Sequence, residues 1–167
     1  MVRNYLAYQL NDYLSNYRPR SIIKRNIFKI KISITMSTSR GPITCHVLDS
    51  SRGMPGKNIQ VRLELREYSD NFDEQTETWK VVGQTYTNDD GRCPNLVSSD
   101  YKITLNNNSN ANAIFRITFY TSKYFNELGQ KSFYPYVQVI FEITDPNQHY
   151  HVPLLISPFS YTTYRGS

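Results

Sequence analysis

From Ile43 onward the chain alternates apolar and polar side chains with period two. Ile59, Val61, Leu63 and Leu65 interleave with Gln60, Arg62, Glu64 and Arg66. Phe115, Ile117 and Phe119 alternate with Arg116, Thr118 and Tyr120, and Val137, Val139, Phe141 and Ile143 with Gln138, Ile140 and Glu142. Successive side chains of an extended strand point to opposite faces, so each run predicts a strand with one dry and one wetter face. Shorter strands are predicted at 43–49, 80–87, 102–105, 151–156 and 162–165. Turn-forming residues separate them: Arg52-Gly53-Met54-Pro55-Gly56, Asn88-Asp89-Asp90-Gly91, Asp145-Pro146-Asn147 and Ser157-Pro158. The one helical signal is 122–128 (SKYFNEL), with Ser122 as N-cap and Gly129 just beyond the end. Seven or eight strands and one short helix predict an all-β protein, a two-sheet β-sandwich.

Two stretches break the alternation and read as loop insertions, an acidic one at 69–78 (SDNFDEQTET) and an Asn-rich one at 106–112 (NNNSNAN). The glycosylation sequon Asn107-Asn108-Ser109 reads as chance, because no apolar segment with a small-residue cleavage site precedes it. With 39% hydrophobic and 20% charged residues, the chain is too apolar for disorder and too polar for a membrane bundle. Its 167 residues suit one domain and a short extra segment, and 14 Tyr, 8 Phe and 1 Trp supply the large apolar surfaces of a β-rich core. No apolar run reaches the ~18 residues of a membrane-crossing helix. The two cysteines, Cys45 and Cys93, are too few for a disulfide scaffold and read as reduced thiols of an intracellular protein.

Charge divides the chain into an extension, 1–40, and a domain, 41–167. Residues 1–35 hold seven basic residues and one acid, whereas the remainder holds twelve basic and thirteen acidic residues. The domain therefore has no electrostatic case for binding nucleic acid. The extension has three readings: a presequence of mitochondrial type, a basic arm for an anionic surface, or a segment that is not translated because Met36 is the start.

Chemistry is sought first at the three histidines. On the strand at 43–49, Ile43, Cys45 and Val47 take the core face, which turns Thr44, His46 and Leu48 outward. His151 shares its outward face with Pro153 and Leu155, opposite Val152, Leu154 and Ile156. Cys45 and His46 point to opposite faces, so they make no nucleophilic pair within one subunit. His149 and His151 lie on one side of a strand and, with His46, suggest a zinc site with an open position as an alternative. Arg92, in the turn before the next segment, is suited to clamping a planar, carbonyl-rich ligand and an oxyanion. No Gly-x-Ser-x-Gly elbow is present.

Five segments together resemble the transthyretin-like 5-hydroxyisourate hydrolase family: ITCHVLD (43–49), TNDDGR (87–92), FYPYVQVIFEI (133–143), HYHVPLLISP (149–158) and the terminal YRGS (164–167). The resemblance covers the chain from about residue 41 to its end. It implies a transthyretin-like sandwich assembled as a homotetramer, with active sites in a channel between dimers. It also implies hydrolytic ring opening of 5-hydroxyisourate to 2-oxo-4-hydroxy-4-carboxy-5-ureidoimidazoline, with no metal or organic cofactor. The family's catalytic residues fall on His46, Arg92 and His151, and its substrate-binding residues on His46, Arg92, Tyr164 and Ser167. His149 is the variable member of its segment and is left outside the site. The rival from another class is a non-catalytic binding protein, since transthyretin carries thyroid hormone on the same scaffold. The expected location is intracellular, cytoplasmic or peroxisomal, although the tail is not a Ser-Lys-Leu signal.

Overall fold

A computed structural model describes residues 40–67, 77–105 and 112–166. Among them the elements run β1 (Ile43–Asp49), β2 (Met54–Pro55), β3 (Gln60–Glu67), β4 (Thr78–Tyr86), β5 (Arg92–Cys93), β6 (Ala113–Phe119), α1 (Thr121–Glu127), β7 (Val137–Ile143), β8 (Tyr150–Ser157) and β9 (Ser160–Thr163). One sheet has the order β2-β1-β8-β9, with β5 also paired to β1, and the other the order β4-β3-β6-β7. β1 and β8 pair in parallel, which brings Thr44 opposite His151 although the two are far apart in sequence.

The dry faces set by the period-two pattern meet between the sheets. Ile43 and Val47 of β1, Val61 and Leu63 of β3, Phe115, Ile117 and Phe119 of β6, and Leu154 and Ile156 of β8 are all buried. Each such side chain contributes about 1.5–3 kcal/mol of transfer free energy, which makes this contact the main stabilising term. The outward positions of β1 and β8 are left for other uses.

The strands at 43–49 and 137–143 have the expected bounds, and those at 80–87, 151–156 and 162–165 shift by a few residues. Residues 102–105 form no strand; Ile103 is buried in the core without ladder pairing. β2 and β5, two residues each, are too short for alternation to reveal. The helix starts one residue earlier than expected. Its N-cap is Tyr120, which makes no side-chain capping bond, and Ser122 lies inside the first turn. Its end matches expectation: Gly129 has φ +70° and donates to the Asn126 carbonyl, while Gln130 donates to that of Phe125, a Schellman closure. The extension up to residue 39, residues 68–76 of the acidic insertion, residues 106–111 with the sequon, and Ser167 lie outside the described residues.

Two local devices fix β1 where the site needs it. Asp49, fully buried, accepts from the Ser51 amide and hydroxyl at one oxygen and from the Tyr124 hydroxyl at the other, 3.0 Å away. The strand end is thus tied to α1. On the other side, the Asn88 side-chain oxygen accepts from the amides of Asp90 (3.0 Å) and Arg92 (2.8 Å), forming the 88–92 turn. Gly91 in that turn has φ +73°, and a Cβ there would stand 2.3 Å from the Val47 carbonyl oxygen. Only glycine lets the turn pass this close to β1.

Candidate active site

β1 is the spine on which the candidate residues gather. Its register sets His46 opposite Arg92 of β5 and Thr44 opposite His151 of β8. Residues opposite one another in a ladder share a face, and residues two apart along a strand do too. Thr44, His46, Arg92 and His151 therefore occupy one face of the sheet, the one turned away from the core. The structure brings together three residues singled out from the sequence, His46, Arg92 and His151.

A cleft of about 470 Å³ opens on this face, lined by Arg40, Thr44, Asn88, Arg92, His149 and His151, with Cys45 and Pro94 completing the wall. His46 flanks the cleft rather than lining it, within electrostatic reach of both Arg92 and His151. Both imidazoles are half-buried. Partial burial, followed by the positive charge of Arg92, holds the His46 ring below its ordinary pKa, with the Asp90 backbone and carboxylate opposing. Burial is also the largest cause for His151, which is lowered further by Arg92, His46, His149 and Arg40. The lowered values favour the uncharged ring at both positions, the form that can take a proton, beside the Arg92 guanidinium.

The chain end closes over one imidazole. The Gly166 amide donates to the His151 carbonyl at 3.0 Å, in an isolated bridge beyond β9. A Cβ at Gly166 would come 2.6 Å from His151 Cδ2 and 3.1 Å from Pro153 Cγ, so the tail crosses the ring only because it has no side chain there. Arg165 donates to Gln148 Oε1 at 2.8 Å and lies over the Tyr150 ring. Tyr164, expected to touch substrate, is 58% exposed and is not among the lining residues. Ser167 lies outside the described residues.

Sequence reasoning overlooked three lining residues, Arg40, Thr44 and Asn88, and weighed His149 only for a zinc site before leaving it outside the active site. Thr44 had a visible signal, since it shares the parity of His46. Its Oγ1 stands 2.9 Å from His149 Nε2 and 2.8 Å from His151 Nδ1. That contact also bears on the zinc alternative. The hydroxyl holds one nitrogen of each ring, and among the described residues no three His, Cys, Asp or Glu side chains group as metal ligands. On the opposite face Cys45 and Cys93 are register partners, both free and buried. The Cys93 thiol, and after it burial, raises the Cys45 thiol well above its ordinary pKa, as a pair of inert core thiols requires.

Known proteins share the sequence and the fold of this chain. The family model described as HIUase/Transthyretin family matches residues 43–166. The chain is 43% identical over 133 residues to a 5-hydroxyisourate hydrolase of Mus musculus, covering 79% of this chain and 100% of that one. Among solved structures, it is similar to the Klebsiella pneumoniae 5-hydroxyisourate hydrolase with a TM-score of 0.57 and 25% identity, covering 75% of this chain and 97% of the other. It is also similar to transthyretin from Sparus aurata, with a TM-score of 0.62 and 24% identity over 76% of this chain and 97% of the other, a likeness of fold alone.

Proposed function

The chain belongs to the HIUase/Transthyretin family, and from that membership we propose that it is a 5-hydroxyisourate hydrolase whose site is the outer face of β1, β5 and β8. It opens the ring of 5-hydroxyisourate by hydrolysis of a cyclic amide C–N bond. The observation that carries the assignment of residues is the meeting of one guanidinium and two imidazoles on one sheet face beside one cleft.

Water adds through its oxygen to the amide carbonyl carbon as one imidazole takes its proton. The carbonyl becomes an oxyanion, the C–N bond breaks, and an imidazolium returns a proton to the departing nitrogen. His46 and His151 are the rings for these transfers: whichever takes the proton from water is the imidazolium that returns it, directly or by way of the other ring. Arg92 donates to the oxygens of the heterocycle and to the oxyanion, a contribution of about 2.7–4 kcal/mol for a single such donor. Arg40 extends the positive wall of the cleft toward an electron-rich ligand. Tyr164 and Ser167 keep in this proposal the substrate-binding role that the family resemblance implies, without support from the cleft lining, which does not include Tyr164.

The working unit in this reading is a homotetramer with the site between dimers. Large side chains left exposed on one chain support it, among them Phe133 at 71% and Phe159 at 70%. The reading also keeps the domain at 41–167, with 1–40 as an extension, and places the activity inside the cell, in the cytoplasm or the peroxisome. Among the described residues no helix is long and apolar enough to cross a membrane.

The test is spectrophotometric. Freshly generated 5-hydroxyisourate should disappear much faster with the protein than in buffer, in proportion to protein added. An unchanged decay rate, with tight binding of a planar aromatic ligand instead, would establish the carrier reading. The polar lining of the cleft disfavours that rival, since an apolar ligand has no use for a guanidinium and two imidazoles.

A further inference from the structure

Thr44 is only 5% exposed, and its hydroxyl stands between two imidazoles. A hydroxyl has one proton to donate and lone pairs to accept. His149 Nε2 and His151 Nδ1 therefore cannot both face it bare: at least one must carry a proton for both contacts to be hydrogen bonds. The ring states of the two histidines are linked through a single oxygen. His151 Nε2, the remaining nitrogen of a ring that lines the cleft, has no hydrogen-bond partner among the described residues.

We propose that Thr44 is a positioning residue for the hydrolytic reaction, its hydroxyl holding the His151 ring by Nδ1 and setting which tautomer His151 presents to the cleft. The inference rests on the hydrolase reading and deepens it. Three arrangements satisfy both contacts with a neutral His151. In one, both rings donate to the two lone pairs of the hydroxyl and His151 Nε2 is bare. The other two use the hydroxyl proton between the rings. When His149 bears its proton on Nδ1, Thr44 donates to His149 Nε2 and accepts from His151 Nδ1–H. His151 Nε2 is then a bare lone pair, ready to take a proton from water. When His149 Nε2 is protonated and the hydroxyl proton turns to the other ring, Thr44 accepts from His149 and donates to His151 Nδ1. A neutral His151 then carries its proton on Nε2 and can only donate into the cleft.

A working imidazole is commonly oriented at its second nitrogen by a carboxylate or a carbonyl. The charged and titratable groups acting on His151 are Arg92, His46, His149 and Arg40, all basic. A carboxylate beside His151 would offset these cations and raise the proton affinity of the ring. A neutral hydroxyl orients it while leaving it uncharged. His149 is exposed, so the outer end of the linkage is open to solvent.

The experiment uses the full chain with Thr44→Val, Thr44→Ser and His149→Ala. The valine keeps the β-branched shape and loses the hydroxyl. It should lower kcat for 5-hydroxyisourate by roughly 10–100-fold, as loss of an orienting partner does at other imidazoles, with KM changed much less. The serine should retain most of the rate. His149→Ala frees the Thr44 proton for His151 Nδ1, so kcat should fall and the pH profile should move. Nitrogen NMR of the His151 ring reads the tautomer without turnover: one form in the parent and in Thr44→Ser, a mixture in Thr44→Val. A Thr44→Val protein with parental kcat, pH profile and ring signals would overturn the proposal. An inactive parent would defeat the hydrolase reading, and the NMR comparison would still decide the role of Thr44. If the valine variant fails to fold, His149→Ala decides, because it alters only an exposed side chain; an unchanged profile there overturns the proposal.

Discussion

At the scale of single residues, the sequence made part of the site legible through parity alone. His46 and His151 were placed outward because their neighbours at odd spacing were aliphatic, and the structure puts both rings on the same outer face. Arg92 was legible only through its motif, because its position follows from the turn that delivers it. Thr44 and His149 were missed as a pair for a physical reason: their contact depends on the register between β1 and β8, which alternation within either strand does not encode. Two expectations follow. Arg92→Ala should lower kcat by about 10²–10³-fold, measured by decay of 5-hydroxyisourate, because it removes the cationic donor. The pH dependence has a definite sign. Both imidazoles are held below their ordinary pKa of about 6.5, so the base form predominates at neutral pH. kcat/KM should vary little near pH 7 and fall on the acid side, as pH drops below about 6.5 through the lowered values, in a pH–rate profile.

Among the elements, long strands were legible and short ones were not. β1 and β7 carry enough alternating positions to fix their ends, whereas β2 and β5 exist only because β1 offers them a ladder. The helix shifted by a residue because the chain enters it through Tyr120, whose side chain makes no capping bond, so no cap residue marked the start. The tie between β1 and α1 gives a test at this scale. Tyr124→Phe removes the hydroxyl that donates to the buried Asp49 carboxylate and should cost about 1.5–3 kcal/mol in urea unfolding, the range for hydrogen bonds to charged groups. Gly91→Ala should cost more than a surface substitution and should also depress activity, since the 88–92 turn must move away from the Val47 carbonyl and carry Arg92 with it. Circular dichroism melts alongside the rate assay separate the two effects. The thiols facing one another across β1 and β5 should react with a disulfide reagent far more slowly in the native protein than in denaturant, because Cys45 is both buried and held as the thiol.

The described residues form a sandwich whose interior is conventional and whose outer face on one sheet is unusual. Aliphatic and aromatic side chains fill the space between the sheets, while two half-buried imidazoles and an arginine occupy the far side of a strand that could have been simply polar. That choice couples stability to pH. In the folded chain His46 and His151 resist protonation that the unfolded chain accepts near pH 6.5. Their contribution is therefore intact above that pH and is lost as acid moves from 6.5 down through the lowered folded values. Urea midpoints should fall across that window, and the fall should be smaller in a protein carrying alanine at both positions.

Convergence of distant residues on one reaction is the claim on which the rest depends, and a double-mutant cycle on kcat/KM tests it most directly. His46→Ala, Arg92→Ala and the double variant should be compared with the parent under one set of conditions. Groups that act together on the same reacting atoms are strongly non-additive, so the double variant should be little slower than the worse of the two singles. Rates that multiply, or a double variant that turns over like the parent, would mean that the two side chains do not share a site.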